Sequence, residues 1–185
     1  MTLYVLGYGG HAKVARDILE LNKQDVKAFY DDSKDNKDCV AGEIKSVPRD
    51  GYYFCAIGDN KTRESIVDRL GINNENYLTI IHPKAIVARD AKIGYGCMIG
   101  AGSVIQPNVT IGNHVIINTN AVVEHDCVIE DYAHIAPNAT LCGSVIVGKR
   151  ALIGAGSTVI PKITIEQDAL VRAGSVAVTD VKCKK

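Results

Sequence analysis

An aliphatic residue recurs at every sixth position from Val87 to Val171 without a miss. Ile93, Ile99, Ile105, Ile111, Ile117, Val123, Ile129, Ile135, Leu141, Val147, Ile153, Val159 and Ile165 fill the series between them. Two positions before most of these stands a small or β-branched residue, as at Cys97, Ser103, Ala121, Cys127, Ala133 and Ala139. Helices repeat near 3.6 residues and strands near 2, so a period of six is neither. It fits a short strand and a turn, laid down three times per coil of a triangular solenoid. Each coil then takes about 18 residues, and coils stack about 4.8 Å apart, the spacing of hydrogen-bonded strands. The strand period turns positions i and i−2 to the same inner side, and small residues at i−2 suit the corners of a narrow prism. One such repeat cannot bury its own apolar side; its neighbours do that.

The residues before the repeats read differently. Residues 2–6 form an apolar strand, and the turn Gly7-Tyr8-Gly9-Gly10-His11 follows. Ala12 to Leu21 has helical spacing, with Val14, Ile18 and Leu21 on one side. Residues 26–30 form a second strand that ends at Asp31-Asp32. Strand, glycine turn, helix, strand and acid make a β-α-β unit. A third strand over 52–57, a helix over 61–70 and a fourth strand over 77–81 extend it, and Pro83 marks the boundary. The expectation is a small Rossmann-like domain over residues 1–82 and a β-solenoid over 83–185, its coils starting near Ala85.

Charge and composition exclude some functions. The formal net charge of this 185-residue chain is zero, which gives no field for nucleic acid or a membrane surface. No apolar run approaches the roughly 20 residues of a membrane span. The N-terminus reads as a first strand and not as a signal peptide, and Val181 to Lys185 as an ordinary charged terminus. None of the six cysteines forms a CxxC pair, so a reducing, cytoplasmic setting is expected and a disulfide framework is not.

Three features point to chemistry. Gly7, Gly9 and Gly10 either make a tight βα turn or let backbone approach a ligand phosphate. In the second case Asp31 and Asp32 meet a ribose or base edge, and Asn60, Lys61 and Arg63 add donors and positive charge to the same crevice. His125-Asp126 is the second feature. It lies two residues past the inward Val123, near a corner, where a neutral histidine serves as a general base with a carboxylate holding its tautomer. The alternative is a surface or interface histidine. His114 shares its phase with polar residues and is expected to be solvated, and His82 is a linker residue. The spacing of His125, Asp126 and His134 matches no common metal motif. Third, Gly143, Gly148, Gly154 and Gly156 either keep one side slim for a long ligand or reflect the turns of the solenoid.

The hexads resemble the hexapeptide-repeat acyltransferases, which implies a left-handed parallel β-helix. The whole chain resembles one subgroup, the small sugar acetyltransferases with a Rossmann-like N-terminal domain, through Gly9-Gly10-His11-Ala12, Ile80-Ile81-His82-Pro83, Asn118, Glu124-His125-Asp126 and the stretch from Val145 to Pro161. That resemblance implies an acetyl-CoA-dependent N-acetyltransferase acting on a UDP- or dTDP-linked 4-amino-4,6-dideoxy sugar. It implies a homotrimer with active sites between subunits. His125 is then the general base and Asp126 its partner, where relatives often have Glu. His134, Gly143, Ala155 and Gly156 lie along the coenzyme, with the Gly143 N–H facing the thioester oxygen. Gly9, Gly10, His11, Asp31, Asp32, Asn60, Lys61 and Asn118 line the nucleotide-sugar site. Relatives commonly end in a Gly-x-Pro-Ala-Lys tail over the coenzyme adenine, absent here; the alternatives are adenine contacts from Lys162, Arg172 or the charged terminus, weaker coenzyme binding, or a different acyl donor. The competing readings are a sialic acid type O-acetyltransferase and a non-catalytic nucleotide-sugar-binding protein.

Overall fold

The computed structural model describes residues 1–33, 35 and 39–183; Lys184 and Lys185 of the charged terminus lie outside them. Strand β1 (Leu3–Leu6), helix α1 (Gly10–Leu21), strands β2 (Val26–Tyr30) and β3 (Tyr52–Cys55) and helix α2 (Asn60–Leu70) come first. The three strands make one parallel sheet in the order β2-β1-β3, as a β-α-β unit requires. Alternation along the strands feeds two cores. Leu3, Val5 and Phe54 point to α1, while Tyr4, Leu6, Tyr53 and Cys55 point to α2 and meet its Ile66, Val67 and Leu70. Asp59 caps α2 by accepting the Thr62 N–H at 2.8 Å, and Gly71 ends it in the left-handed conformation.

Two-residue strands then follow every six residues, from β4 (Ile80–Ile81) to β20 (Val176–Ala177). Each pairs in parallel with the strand 18 residues on, for instance Ile116 with His134 and Val122 with Thr140. The result is a triangular prism. Its first face holds β4, β7, β10, β13, β16 and β19, its second β5 through β20, and its third β6 through β18, each in steps of three strands. The second strand residue and the residue two before it point inward, and from Cys97 to Ile165 nearly all are fully buried. The inward hydroxyls Ser103 and Ser157 close on the carbonyls three residues back, Gly100 and Gly154, at 2.8 and 2.6 Å, so neither is left unpaired.

From Gly96 to Gly174 the third residue after each strand takes a left-handed φ, as at Asn108, Asn120, Asp126 and Asn138. Asn and Asp tolerate that region best after glycine. This phase turns the chain at those corners.

One expectation is corrected here, and one pair of alternatives is decided. The segment over 77–81 is not a fourth strand of the N-terminal sheet: Tyr77 makes only a bridge to Tyr53, and Ile80–Ile81 is the first rung of the prism, hydrogen-bonded to the coil above. The coils therefore begin at Ile80, before Ala85, because the hexad phase extends back through Ile81. The glycines, likewise, do not share one side. Gly143, Gly148 and Gly154 fall on three different corners, since a coil is three hexads. At Gly148 and Gly154 a Cβ would lie 2.5 and 2.4 Å from the backbone nitrogens of Gln167 and Ala173 in the next coil. Coil stacking accounts for both.

Candidate active site

The outward residues of the first face hold the N-terminal domain. Ile80, Met98 and Ile116 are buried against Leu3, Val5 and Ile18. Higher on this face His134 and Leu152 continue the column beneath the turn between β3 and α2, and Leu170 ends it, exposed. The corner between third and first faces carries Gly96, His114, Tyr132, Arg150 and Asp168 in one column. His114 and Tyr132 stack with ring centroids 5.0 Å apart, and Tyr77 meets the His114 edge at 4.7 Å. His114 is fully buried, against the expectation of a solvated residue. Its phase matched polar neighbours, but this corner is the one that α2 covers.

Arg63 of α2 enters that seam and is 1% exposed. Its Nε donates to the His114 carbonyl at 2.9 Å, and Nη2 to the Tyr132 carbonyl at 2.7 Å and Asn60 Oδ1 at 2.9 Å. Its Nη1 donates to the carbonyls of Ile57 and Gly58 at 2.9 and 3.1 Å. All five acceptors are uncharged. Burial draws its pKa down to about 10, which leaves it a cation at neutral pH. Arg63 is thus no free donor for phosphates; its fork is spent on carbonyls. Asn60 is spent similarly, its Nδ2 donating to Arg150 O at 2.9 Å and Ala151 O at 3.2 Å.

Two cavities flank this turn. One of about 460 Å³ is lined by Asp31, Asp32, Ser33, Lys61, Thr62 and Arg69 over a floor of Ile44, Ile57 and Ile66. The other, about 230 Å³, lies between the Gly58–Lys61 turn and the first face, with His134, Leu152 and Arg150 on its wall. Lys61 borders both. Asp31 accepts the Tyr8 N–H and the Ser33 N–H at 2.6 Å each, so it pins the glycine turn. Asp32 accepts from Ile44 N–H at 2.9 Å and from Arg69 at 2.8 Å. Burial opposes its charge, but these donors hold its pKa below the usual value. Gly7 is the sterically forced glycine, with φ +105° and a Cβ that would lie 2.8 Å from Ile57. Gly9 and Gly10 face open space at the start of α1.

His11 and His134 face one another across the turn with centroids 6.5 Å apart. The His11 Nε2 is buried without a hydrogen-bond partner. Asn118 Oδ1 takes the Thr119 N–H at 2.8 Å, which orients the amide so that Nδ2 donates to His134 Nε2 at 3.1 Å. Burial first, then the Arg63 charge, lowers both histidines to about 4, so both are neutral at pH 7.

His125 stands elsewhere, on the corner between second and third faces, the one corner that does not border the first face. Its side chain is 60% exposed. Asp126 has φ +61°, and this turn brings two sequence neighbours into contact: Nδ1 lies 2.7 Å from Asp126 Oδ2. Asn108 donates to the other carboxylate oxygen at 3.2 Å. Both bonds hold the Asp126 pKa below the usual value. Gly143 sits one coil above, and a Cβ there would meet the His125 ring at 2.7 Å. At this corner position the N–H leaves the strand ladder, and Pro107 and Pro161 fill it in the flanking coils. The Gly143 N–H accordingly donates to no backbone carbonyl among the described residues. Ala155 and Gly156 are exposed on the third corner, between first and second faces. The sequence-derived residues thus form three groups, and one chain does not bring them together.

A Rossmann-like sheet set on a prism of hexads, with an oriented histidine on a free corner, defines a hexapeptide-repeat transferase. The PglD N-terminal domain matches residues 2–70, the bacterial transferase hexapeptide matches 108–143, and the hexapeptide repeat of succinyl-transferase matches 144–178. The chain belongs to the PglD-type sugar acetyltransferases of the hexapeptide-repeat superfamily, and its coils are a left-handed parallel β-helix. It is similar to a histidine-to-asparagine variant of perosamine N-acetyltransferase from Caulobacter crescentus, solved with CoA and GDP-perosamine. The identity is 32% and the TM-score 0.89, over 100% of this chain and 97% of that one. The acetyltransferase domain of PglB from Neisseria gonorrhoeae is 29% identical with a TM-score of 0.87, over 98% and 93% of the two chains. The UDP-N-acetylbacillosamine N-acetyltransferase of Bacillus subtilis is 39% identical over 108 residues, 52% of this chain. The match spans half (50%) of that curated relative's length. No helix among the described residues is long and apolar enough to cross a membrane.

Proposed function

We propose that the protein is an acetyl-CoA-dependent N-acetyltransferase acting on the amino group of a nucleotide-linked 4-amino-4,6-dideoxy sugar, in the cytoplasm. The observation that carries this reading is the His125–Asp126 contact beneath a glycine with an open N–H. It stands in a chain whose relatives are named for sugar N-acetylation and whose Caulobacter relative holds CoA and a GDP-linked sugar. Residues 1–82 serve the nucleotide end, in the cavity bordered by Asp31, Asp32 and Lys61. Residues 83–185 carry the transfer.

The chemistry follows from the corner. An ionised Asp126 accepts the Nδ1 proton of His125, which leaves the Nε2 lone pair outward as the base. The sugar amine attacks the thioester carbonyl, and a C–N bond forms. Charge developing on the carbonyl oxygen meets the Gly143 N–H, a contribution of roughly 3 kcal/mol in comparable sites. His125 takes the amine proton, the C–S bond breaks, and the thiolate leaves and is reprotonated by the imidazolium. No acyl-enzyme intermediate is needed.

The site is composite. His125 occupies the corner opposite the first face, so the crevice of His11, Lys61, Asn118 and His134 in the same chain is out of its reach. The second face borders both the His125 corner and the Ala155–Gly156 corner. Its outward residues include Ile86, Val104, Val122 and Val176, with Ile86 65% and Val176 60% exposed. Three copies packed by this face place the His125 corner of one beside the Ala155–Gly156 corner of the next, with acetyl-CoA between them.

The test is thiol release from acetyl-CoA with UDP-, dTDP- and GDP-linked amino sugars, and free sialic acid as hydroxyl control. Release with an amino sugar and a product heavier by one acetyl group supports the reading. Release with sialic acid alone replaces it by O-acetylation, and no release with nucleotide sugar still bound replaces it by a binding function.

A further inference from the structure

A cation buried under a ligand crevice without an anionic partner carries a desolvation cost that only well-placed hydrogen bonds offset. Arg63 is such a cation. Its acceptors divide into two sets. Ile57 O, Gly58 O and Asn60 Oδ1 belong to the turn between β3 and α2. His114 O and Tyr132 O belong to two successive coils of the prism, at the residues with left-handed φ. One planar fork therefore spans the joint between the two parts of the molecule. The same turn, through Gly58, Asp59, Asn60 and Lys61, forms one wall of the 230 Å³ crevice, and His134 of the prism forms the other. Asn60 adds a second tie from the turn, to Arg150 O and Ala151 O one coil higher.

We propose that Arg63 is a positioning residue: it fixes the height of the Gly58–Lys61 turn over His134 and so sets the gap that receives the nucleotide sugar. It touches no substrate itself, being closed off behind the turn. Of the residues expected along the coenzyme, Gly143, Ala155 and Gly156 lie on corners that Arg63 does not reach, so the donor side meets the gap only through His134. The geometry of the fork is what matters. Lys supplies the same charge as a point, with three rotating donors, and cannot satisfy five carbonyl-type acceptors at once.

This inference rests on the acceptor reading above, and the experiment keeps the two apart. Wild-type turnover on the amino-sugar panel tests the reading. Calorimetry of Arg63→Lys against wild type tests the inference, with the nucleotide sugar that wild type acetylates. If wild type acetylates none, UDP, dTDP and GDP themselves serve as probes. The expected result is a folded Arg63→Lys protein whose KM and Kd for the nucleotide ligand rise tenfold or more. Its KM for acetyl-CoA stays within twofold, and kcat at saturation falls less than the sugar affinity. Unchanged nucleotide affinity in the folded variant overturns the proposal, whatever happens to Tm. So does an equal loss of acetyl-CoA affinity, which marks general loosening. If Arg63→Lys does not fold, Asn60→Ser cuts the second tie of the same turn with the charge kept, and the same split decides. A wild-type protein that binds none of the nucleotides removes both the inference and the reading.

Discussion

His125 and Gly143 illustrate how one residue's identity is fixed by another's chemistry. Gly143 has no side chain because a Cβ would stand 2.7 Å from the imidazole one coil below. Its N–H donates to no backbone carbonyl among the described residues. His125→Ala is expected to leave a folded oligomer and to lower turnover by roughly 10²- to 10⁴-fold, the usual worth of a positioned base. Gly143→Ala should do much the same by pushing the ring aside, with nucleotide-sugar affinity unchanged. Steady-state kinetics and circular dichroism on the two variants check this. An unfolded His125→Ala protein would mark the histidine as structural. His125-Asp126 was legible in the sequence as a pair near a corner. Their contact was not, because adjacent residues on a strand point apart, and only the left-handed φ of Asp126 closes the gap.

At the scale of elements, the joint between α2 and the prism is the part that the sequence hid. Hexad spacing disclosed the coils, the inward positions and the buried Cys97 and Cys127 at once. It did not disclose which corner α2 covers, since all three corners share a phase. His114 therefore looked solvated and Arg63 looked like a phosphate donor. The period does carry a signal for the turns: left-handed φ at one phase explains why Asn, Asp and Gly gather there, and a bulky His114, Tyr132 or Arg150 at that phase marks a corner stabilised by something else. Such residues cost roughly 1 kcal/mol or more in that conformation, which stacking and the Arg63 bonds offset. The joint is also acid-sensitive. Burial, and then the Arg63 charge, lowers His11, His114 and His134 to about 4 from 6.5. Between those values the unfolded chain binds more protons than the folded one, so stability is complete above pH 6.5 and is lost as pH falls toward 4. For the fully buried His114 alone the loss over that span is on the order of 3 kcal/mol. Thermal melts should show Tm level above about pH 7 and dropping steadily below 6.5, with a shallower drop in His114→Phe. A Tm that stays level down to pH 4.5 would contradict the buried neutral imidazoles.

On the scale of the whole molecule, the prism separates what the chemistry must join. The sequence was sufficient for the two parts, β-α-β domain and solenoid, because glycine turns and a period of six are local signals. The distribution of site residues over three corners depends on counting 18 residues per coil and on knowing which face the N-terminal domain takes. Once both are known, the proposed base and the proposed acceptor crevice of one chain fall on opposite sides. Association through the second face is the proposed remedy, and it gives a direct test. His125→Ala removes the base, and a His134→Ala, Lys61→Ala double variant removes the crevice. Each is inactive alone if both groups are needed. Mixed trimers refolded from equal amounts of the two should regain thiol release at about a quarter of the wild-type rate, since a working site forms wherever an intact corner meets an intact crevice of the next subunit. Mixed oligomers that form and stay inactive would contradict the shared site and place base and acceptor within a single chain.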